Sequence, residues 1–228
     1  MEETSIRYQG DFNEPIAAAM LASFTSALAL DSKVPDWILQ LHGMSGRLYR
    51  RFINNLVGNI PSARYLEIGS WAGSTACSAI YGNDIDIVCI DNWSEFGGPK
   101  QVFENNISLA KSDITNFKFI ENDFRNVDYE KLGKFNIYLY DGPHSYEDQY
   151  DGIKIAQPAL DDLYVQIVDD WNWPYVRAGT LDAISDINAD ILCSIEIRTT
   201  QDDSHPVKSQ QQDSAWHNGY FISLISKR

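Results

Sequence analysis

The chain of 228 residues lacks long hydrophobic runs and has only three cysteines. No stretch of about 18 apolar residues is present, so the sequence predicts no membrane span. The N-terminus lacks the basic-then-apolar order of a signal peptide. Cys77, Cys89 and Cys193 lie far apart among apolar residues. We therefore expect a cytoplasmic protein with buried free thiols, and neither a disulfide nor a cysteine metal site.

Basic residues are also scarce, since 18 Lys and Arg stand against 32 Asp and Glu for a net charge of -14. Arg47, Arg50 and Arg51 form the only dense basic group, and we expect them on the solvent face of a helix. Nucleic-acid binding depends on Lys and Arg that neutralise phosphates. The composition therefore predicts no nucleic-acid partner, while a cationic acceptor stays open.

The dinucleotide-binding pattern G-x-G-x-x-G is missing as well. Tyr146 has no lysine four positions later, because position 150 is another tyrosine, although Tyr150 and Lys154 do have this spacing. The missing glycine pattern is what counts against a nicotinamide-dependent oxidoreductase.

What the chain does contain is a strand, a glycine turn and a helix start within residues 65–75. Leu66 and Ile68 suit a buried strand, and Gly69 and Gly73 permit a tight turn. Ser74 can cap the helix that follows. This arrangement is typical of the nucleotide sites of α/β proteins, although the glycines alone could serve only the turn.

From residue 63 onward, strand patterns alternate with helical patterns. This order predicts an α/β fold with a doubly wound, seven-stranded, mainly parallel sheet and an antiparallel C-terminal hairpin. The helical segment 1–60 is predicted to form a lid or a homodimer contact rather than a separate core. The predicted strands are 64–68, 85–91, 117–121, 135–141, 163–169, 191–198 and 220–226.

Glu67 stands two positions before Gly69, and the resulting E-x-G-x-x-x-G pattern resembles motif I of class I S-adenosylmethionine-dependent methyltransferases. The segments 66–74 and 141–146 look like a bacterial subgroup related to macrocin O-methyltransferases and the so-called cephalosporin hydroxylases. The resemblance implies a Rossmann-like methyltransferase domain over residues 61–228 with S-adenosyl-L-methionine as cofactor. It implies cofactor contacts from Glu67, Gly69, Ser70, Trp71, Gly73, Ser74, Asp91, Asn92, Trp93, Asp123, Phe124 and Asp141.

In that family the carboxylate after the second strand, here Asp91, binds the ribose, and the residues after the third, here Asp123 and Phe124, contact the adenine. A plainer interpretation is that Asp91 and Asp123 cap the segments that follow their strands, while Glu67 holds the amides of its loop.

Carboxylates end two neighbouring strands, where Asp141 follows one and Asp169 and Asp170 follow the next. Parallel strands lie about 4.8 Å apart, so these oxygens can converge on one hard cation such as Mg²⁺. The arrangement is similar to that of metal-dependent O-methyltransferases. The alternative is that they cap a helix and order their own loop.

His144, three residues after Asp141, is the second candidate catalytic group beside that carboxylate. Histidine titrates near neutrality and can act as general base. A hydrogen bond to its own loop would explain it equally well.

Four tryptophans directly follow predicted strands: Trp71, Trp93, Trp171 and Trp173. The loops after parallel strands share the ligand-binding edge of a doubly wound sheet. Trp93 or Phe124 is predicted to stack on the adenine, and Trp171 and Trp173 to wall the acceptor. The rings could instead only plug the edge of the sheet.

The leading hypothesis is a methyltransferase that methylates an oxygen of a small-molecule acceptor, with help from Mg²⁺. An N-methyltransferase without metal is the nearest alternative. An oxidoreductase and a non-catalytic binding protein are the alternatives from other classes.

Overall fold

The computed structural model of the chain describes residues 4–206 and 215–228. Helices and strands alternate from residue 64 to residue 198. The helices are α1 (Pro15–Leu28), α2 (Asp36–Leu39), α3 (Arg47–Asn59), α4 (Ser74–Ile80), α5 (Lys100–Ala110), α6 (Tyr146–Ile155) and α7 (Pro174–Asp186). The strands are β1 (Ser5–Gly10), β2 (Arg64–Ile68), β3 (Ile85–Asp91), β4 (Thr115–Glu121), β5 (Phe135–Tyr140), β6 (Leu160–Asp169), β7 (Ala189–Arg198) and β8 (Tyr220–Lys227).

The strands form one sheet in the order β1-β7-β8-β6-β5-β2-β3-β4. The five neighbouring strands β6, β5, β2, β3 and β4 are parallel, whereas β8 is antiparallel to both β6 and β7. The central strands β2 and β5 are almost entirely buried, because helices cover both faces of a parallel sheet. The predicted doubly wound α/β fold with an antiparallel C-terminal hairpin is confirmed.

The sheet has one strand more than the seven predicted. Strand β1 pairs antiparallel with β7 at the edge of the sheet. Its sequence mixes Ser5, Arg7 and Gln9 with apolar residues, and four of its six residues are exposed. An edge strand with so little burial has a weak hydrophobic pattern, which is why the sequence reads as irregular there.

Helices α1 and α3 pack on one face of the sheet and share its hydrophobic core. Met20 and Phe24 of α1 and Phe52 and Leu56 of α3 are fully buried. The expected position of Arg50 on a solvent face is wrong, because this side chain is fully buried too.

Cys77, Cys89 and Cys193 are buried free thiols, as predicted. Within residues 4–206 and 215–228, none of the helices has both the length and the apolar character that crossing a membrane requires.

Candidate active site

A cavity of about 340 Å³ opens where the parallel strands β2 to β6 end. Loops that follow these strands form its wall, which is where doubly wound sheets bind ligands. Nine residues predicted to contact the cofactor line this cavity: Gly69, Ser70, Trp71, Ser74, Asp91, Asn92, Asp123, Phe124 and Asp141.

The glycine turn after β2 lies directly against the end of β5. Gly69 has a φ of +84°, and a Cβ at this position would stand 1.9 Å from the carbonyl oxygen of Asp141. The amide of Asp141 donates to the carbonyl oxygen of Ile68 at 2.9 Å. Trp71 also has a positive φ, +42°, a conformation that costs a non-glycine residue about 1–3 kcal/mol. The turn therefore needs glycine at position 69 to reach the end of the neighbouring strand.

Asp91, at the end of β3, holds this turn in place. Its Oδ2 accepts hydrogen bonds from the amides of Ser70 at 2.9 Å and Trp71 at 2.8 Å. Its Oδ1 accepts from the amide of Trp93 at 2.8 Å. Each carboxylate oxygen can accept two hydrogen bonds, so Oδ1 keeps one lone pair. The ribose contact of Asp91 stays a prediction. Asp91 also binds the loop amides, a role that the sequence analysis considered for Glu67.

Glu67 does not line the cavity. Its carboxyl group is fully buried beneath the turn, where Oε2 accepts from the hydroxyl of Tyr65 at 2.8 Å. Burial raises the pKa of Glu67 to about 7. Direct contact between Glu67 and a cofactor in the cavity is therefore corrected to a supporting position under the loop.

Gly73 and Trp93 also lie outside the cavity wall. Gly73 precedes α4 with a φ of +82°, and a Cβ there would stand 2.9 Å from the ring of Phe103. Trp93 stacks on Phe119 with ring centroids 5.2 Å apart. The ring of Trp93 therefore packs beside α5, a position that does not favour the predicted stacking on adenine.

Asp141, Asp169 and Asp170 meet at the cavity wall, as the sequence predicts. Burial raises the pKa of Asp141 to about 8. Burial also raises the pKa of Asp169 well above its usual value, and the charge of Asp141 adds to the effect. Burial acts in the same direction on Asp170, but the hydrogen bond and charge of His144 outweigh it and lower the pKa of Asp170. Burial thus favours the protonated forms of Asp141 and Asp169, whereas His144 favours the charged form of Asp170.

His144 pairs with Asp170 through Nε2 and Oδ2 at 2.9 Å. Burial opposes the charged form of His144, but the hydrogen bond and charge of Asp170 outweigh it and raise the pKa of His144. The other ring nitrogen, Nδ1, lies 3.4 Å from Nε2 of the fully buried Gln149. Asn218 donates to Oδ1 of Asp170 at 2.8 Å. The histidine and its carboxylate are therefore held in one orientation.

The predicted Mg²⁺ site of three converging carboxylates is not formed. Among residues 4–206 and 215–228, no group of three or more His, Cys, Asp or Glu side chains has the arrangement of a metal site. Asp170 binds neutralising and polar partners, since Oδ2 pairs with His144 and Oδ1 accepts from Asn218. Asp141 and Asp169 contact each other instead. The arrangement of Asp141, Asp169 and Asp170 therefore does not fit the predicted Mg²⁺ site.

The tryptophans divide between the cavity and the core. Trp71 and Trp173 line the cavity. Trp171 is buried and stacks on Phe221 with ring centroids 4.3 Å apart. The predicted position of Trp171 in the acceptor wall is therefore wrong, and that of Trp173 stays a prediction.

Several cavity residues were not among the predicted site residues: Met44, Ser45, Ser94, Glu95, Phe96, His205 and His217. The glycine-rich turn 42–46 and the loop 94–98 gave a signal, since both suggest mobile segments beside a ligand. His205 and His217 stand between β7 and β8, in a polar part of the sequence without a recognisable motif. They reach the cavity because β8 lies beside β6 in the sheet.

Residues 66–171 match the family model of a methyltransferase domain. No curated protein matches the chain. Among solved structures, the fold resembles a provisionally assigned RNA methyltransferase from Pyrococcus horikoshii, with a TM-score of 0.54, 15% identity and coverage of 92% of this chain and 98% of that one. It also resembles a provisionally assigned O-methyltransferase from Klebsiella pneumoniae, with a TM-score of 0.52, 14% identity and coverage of 94% and 91%.

A third structure, the provisionally assigned methyltransferase SMU.776 in complex with S-adenosylhomocysteine, matches with a TM-score of 0.52, 15% identity and coverage of 78% of this chain and 49% of that one. The chain spans about half the length of several structures that it matches, between 48% and 52%. At these identities the likeness concerns the fold.

The expectation of a small-molecule acceptor without a nucleic-acid partner is corrected by these comparisons. The structure from Pyrococcus horikoshii is described as an RNA methyltransferase and shares this fold over nearly its whole length. The net charge of -14 describes the surface as a whole, whereas nucleic acid contacts only part of a surface. Overall acidity is therefore not a sufficient ground to exclude a nucleic-acid acceptor.

Proposed function

We propose that this chain is a class I S-adenosylmethionine-dependent methyltransferase and that it methylates a hydroxyl oxygen of its acceptor with His144 as general base, a proposal that the methyltransferase-domain match supports. The observation that carries the proposal is the His144–Asp170 pair, at 2.9 Å, in the wall of the cavity. A hydroxyl is a poor nucleophile until its proton is accepted, so O-methylation needs a positioned base.

The order of the strands supports one placement of the cofactor. Asp123 follows β4, Asp91 follows β3, the glycine turn follows β2, and Asp141 follows β5, in the order of the sheet edge. Asp123 and Phe124 would hold the adenine, Asp91 and Asn92 the ribose, and the turn the methionine part. When bound, S-adenosylmethionine supplies an electrophilic methyl group on a sulfonium. The carboxylates of the cavity suit this positive charge.

In the neutral ring the proton is on Nε2, which donates it to Oδ2 of Asp170 at 2.9 Å, so the free lone pair is on Nδ1. Nδ1 accepts the proton of the acceptor hydroxyl, and the charge of Asp170 stabilises the imidazolium that forms. Gln149 Nε2, 3.4 Å from Nδ1, gives up this position to the hydroxyl. S-adenosylmethionine would supply the methyl group and leave as S-adenosylhomocysteine.

The proposal includes no divalent cation, because the three carboxylates do not form a metal-site arrangement within residues 4–206 and 215–228. It favours oxygen over nitrogen because a neutral amine can attack before losing a proton and does not need the base. We also propose a cytoplasmic location, since the three cysteines are free thiols.

The test uses S-adenosylmethionine with a ¹³C-labelled methyl group and an extract separated into RNA, protein and low-molecular-weight fractions. We expect wild-type enzyme to label one fraction, with the ¹³C chemical shift of a methyl bound to oxygen. His144→Gln is expected to slow transfer by about 10²–10⁴-fold, the usual contribution of a general base. The affinity for S-adenosylhomocysteine, measured by calorimetry, is expected to stay unchanged.

A methyl group on nitrogen, or full activity of His144→Gln, would contradict the proposal. Binding of S-adenosylhomocysteine without transfer to any fraction would favour a non-catalytic binding protein.

A further inference from the structure

Arg50 is a fully buried arginine without an acidic partner among the described residues. Its guanidinium donates only to neutral oxygens, namely the carbonyls of Ile38, Leu39, Leu41 and Gly43 and the hydroxyl of Ser45. Burial lowers the pKa of Arg50 to about 10, so the group remains charged at neutral pH. A buried charge is costly unless it is paired, and hydrogen bonds to neutral groups leave the charge itself uncompensated.

Two serine hydroxyls connect this charge to the cavity. Arg50 Nε donates to Ser45 Oγ at 2.9 Å, and Ser45 Oγ lies 3.0 Å from Ser74 Oγ. Because Ser45 accepts from Arg50, its own proton is available for Ser74, and the proton of Ser74 is left to donate into the cavity. Both serines line the cavity wall and are buried.

Gly43 permits this close arrangement. A Cβ at position 43 would stand 2.3 Å from Ser74 Oγ and 3.0 Å from Arg50 Nη2. The turn 42–46 therefore passes between the guanidinium and the hydroxyl of Ser74 without a side chain in the way.

The charge of the cavity makes this chain of donors significant. Among the described residues that line it there are six carboxyl groups and no lysine or arginine: Asp91, Glu95, Asp123, Asp141, Asp169 and Asp170. The ionised members of this set, Asp170 among them, attract a sulfonium and an ammonium group but repel a carboxylate. S-adenosylmethionine carries all three groups, so its carboxylate needs a separate, positive part of the site.

We propose that Arg50, Ser45 and Ser74 form the subsite for the carboxylate of the methionine part of S-adenosylmethionine. The hydroxyl of Ser74 contacts the carboxylate, while Arg50 acts through Ser45 as a positioning residue and supplies the compensating charge. This inference concerns the binding of the cofactor alone and depends neither on the acceptor nor on His144 as base.

The test compares S-adenosylmethionine with decarboxylated S-adenosylmethionine, which differs only by the carboxylate. Calorimetry gives the affinity of both ligands for wild type, Arg50→Met, Arg50→Lys and Ser45→Ala, and the ratio of the two affinities is the readout. Arg51→Met is the matched control, because Arg51 lies next on the same helix and donates to Ser32 at 3.0 Å, away from the cavity.

We expect wild type and Arg51→Met to prefer the carboxylated ligand. Arg50→Met is expected to reduce this preference about tenfold, or about 1.4 kcal/mol, through weaker binding of S-adenosylmethionine alone. Arg50→Lys is expected to retain part of the preference. Ser45→Ala is expected to reduce the preference, as Arg50→Met does. A general loss of structure would weaken both ligands equally and leave their ratio unchanged.

If Arg50→Met does not fold, as judged by its thermal melting, Ser45→Ala and Ser74→Ala carry the test. An unchanged ratio in Ser45→Ala would overturn the proposal. A reduced ratio in Ser74→Ala alone would also overturn the role of Arg50, because Ser74 would then bind the carboxylate without it.

Discussion

The close approach of the glycine turn to β5 predicts a large and specific effect of Gly69→Ala. The new methyl group would stand 1.9 Å from the carbonyl oxygen of Asp141, at a φ of +84°. The obstacle is backbone, which is held by hydrogen bonds from Gly69 to Ile90 and from Asp141 to Ile68, both at 2.9 Å. The substitution must therefore separate the turn from the end of β5.

Two other glycines allow this cost to be divided. Gly133 has a φ of +93° with no atom within 4 Å of a new Cβ, so Gly133→Ala reports the conformational cost alone, about 1–2 kcal/mol. Gly73 has a φ of +82°, and its Cβ would meet the Phe103 ring at 2.9 Å, which a side chain can relieve by moving. Adding about 1–3 kcal/mol for overpacking, we expect Gly69→Ala to lower the free energy of unfolding by about 2–5 kcal/mol and Gly73→Ala by an intermediate amount.

The assay is equilibrium unfolding in urea for the three variants and wild type, with calorimetric titration of S-adenosylhomocysteine on each folded protein. Gly69→Ala is also expected to weaken this ligand, whereas Gly133→Ala is not. Equal losses of unfolding free energy in Gly69→Ala and Gly133→Ala would refute the close approach as the reason for glycine at position 69.

Three further outcomes follow from the site. Asp91→Asn replaces one acceptor oxygen by a donor, so the turn loses amide partners, and we expect about tenfold weaker binding of S-adenosylhomocysteine by calorimetry. Trp93→Leu is expected to lower the melting temperature while the affinity changes less than twofold, since its ring packs on Phe119; a large loss of affinity would return Trp93 to the site. The rate of methyl transfer is expected to rise with pH through the raised pKa of His144, because only the neutral ring accepts a proton. In Asp170→Asn this rise is expected at lower pH, since the charge that raises the pKa of His144 is gone. An unchanged dependence of the rate on pH would contradict the role of the His144–Asp170 pair.

The sequence predicted the central sheet well because buried parallel strands contain continuous apolar runs, as in residues 87–90 and 137–140. It missed β1, because an exposed edge strand needs no such run. The position of Arg50 was predicted wrongly for a related reason. Helical periodicity assigns a charged residue to the solvent face. The burial of Arg50 depends instead on carbonyl oxygens within residues 38–43, which the sequence pattern of α3 does not reveal.

At the site, strand ends were predictable because carboxyl ends of parallel strands share one edge. Which side chain turns into the cavity was not. Asp91 and Glu67 are both acidic residues beside the turn, yet Asp91 holds its amides and Glu67 lies beneath it. The three carboxylates do come together, but Asn218 and His144 decide how Asp170 is used, and Asn218 arrives from a distant part of the chain.

The most direct test of the account is a crystal structure of the chain with S-adenosylhomocysteine. We predict the ligand in the cavity at the ends of β2 to β6, with its adenine beside Phe124 and its sulfur on the side of Asp141 and His144. A ligand bound elsewhere, or bound with its adenine against His144, would contradict the assignment of this cavity to methyl transfer.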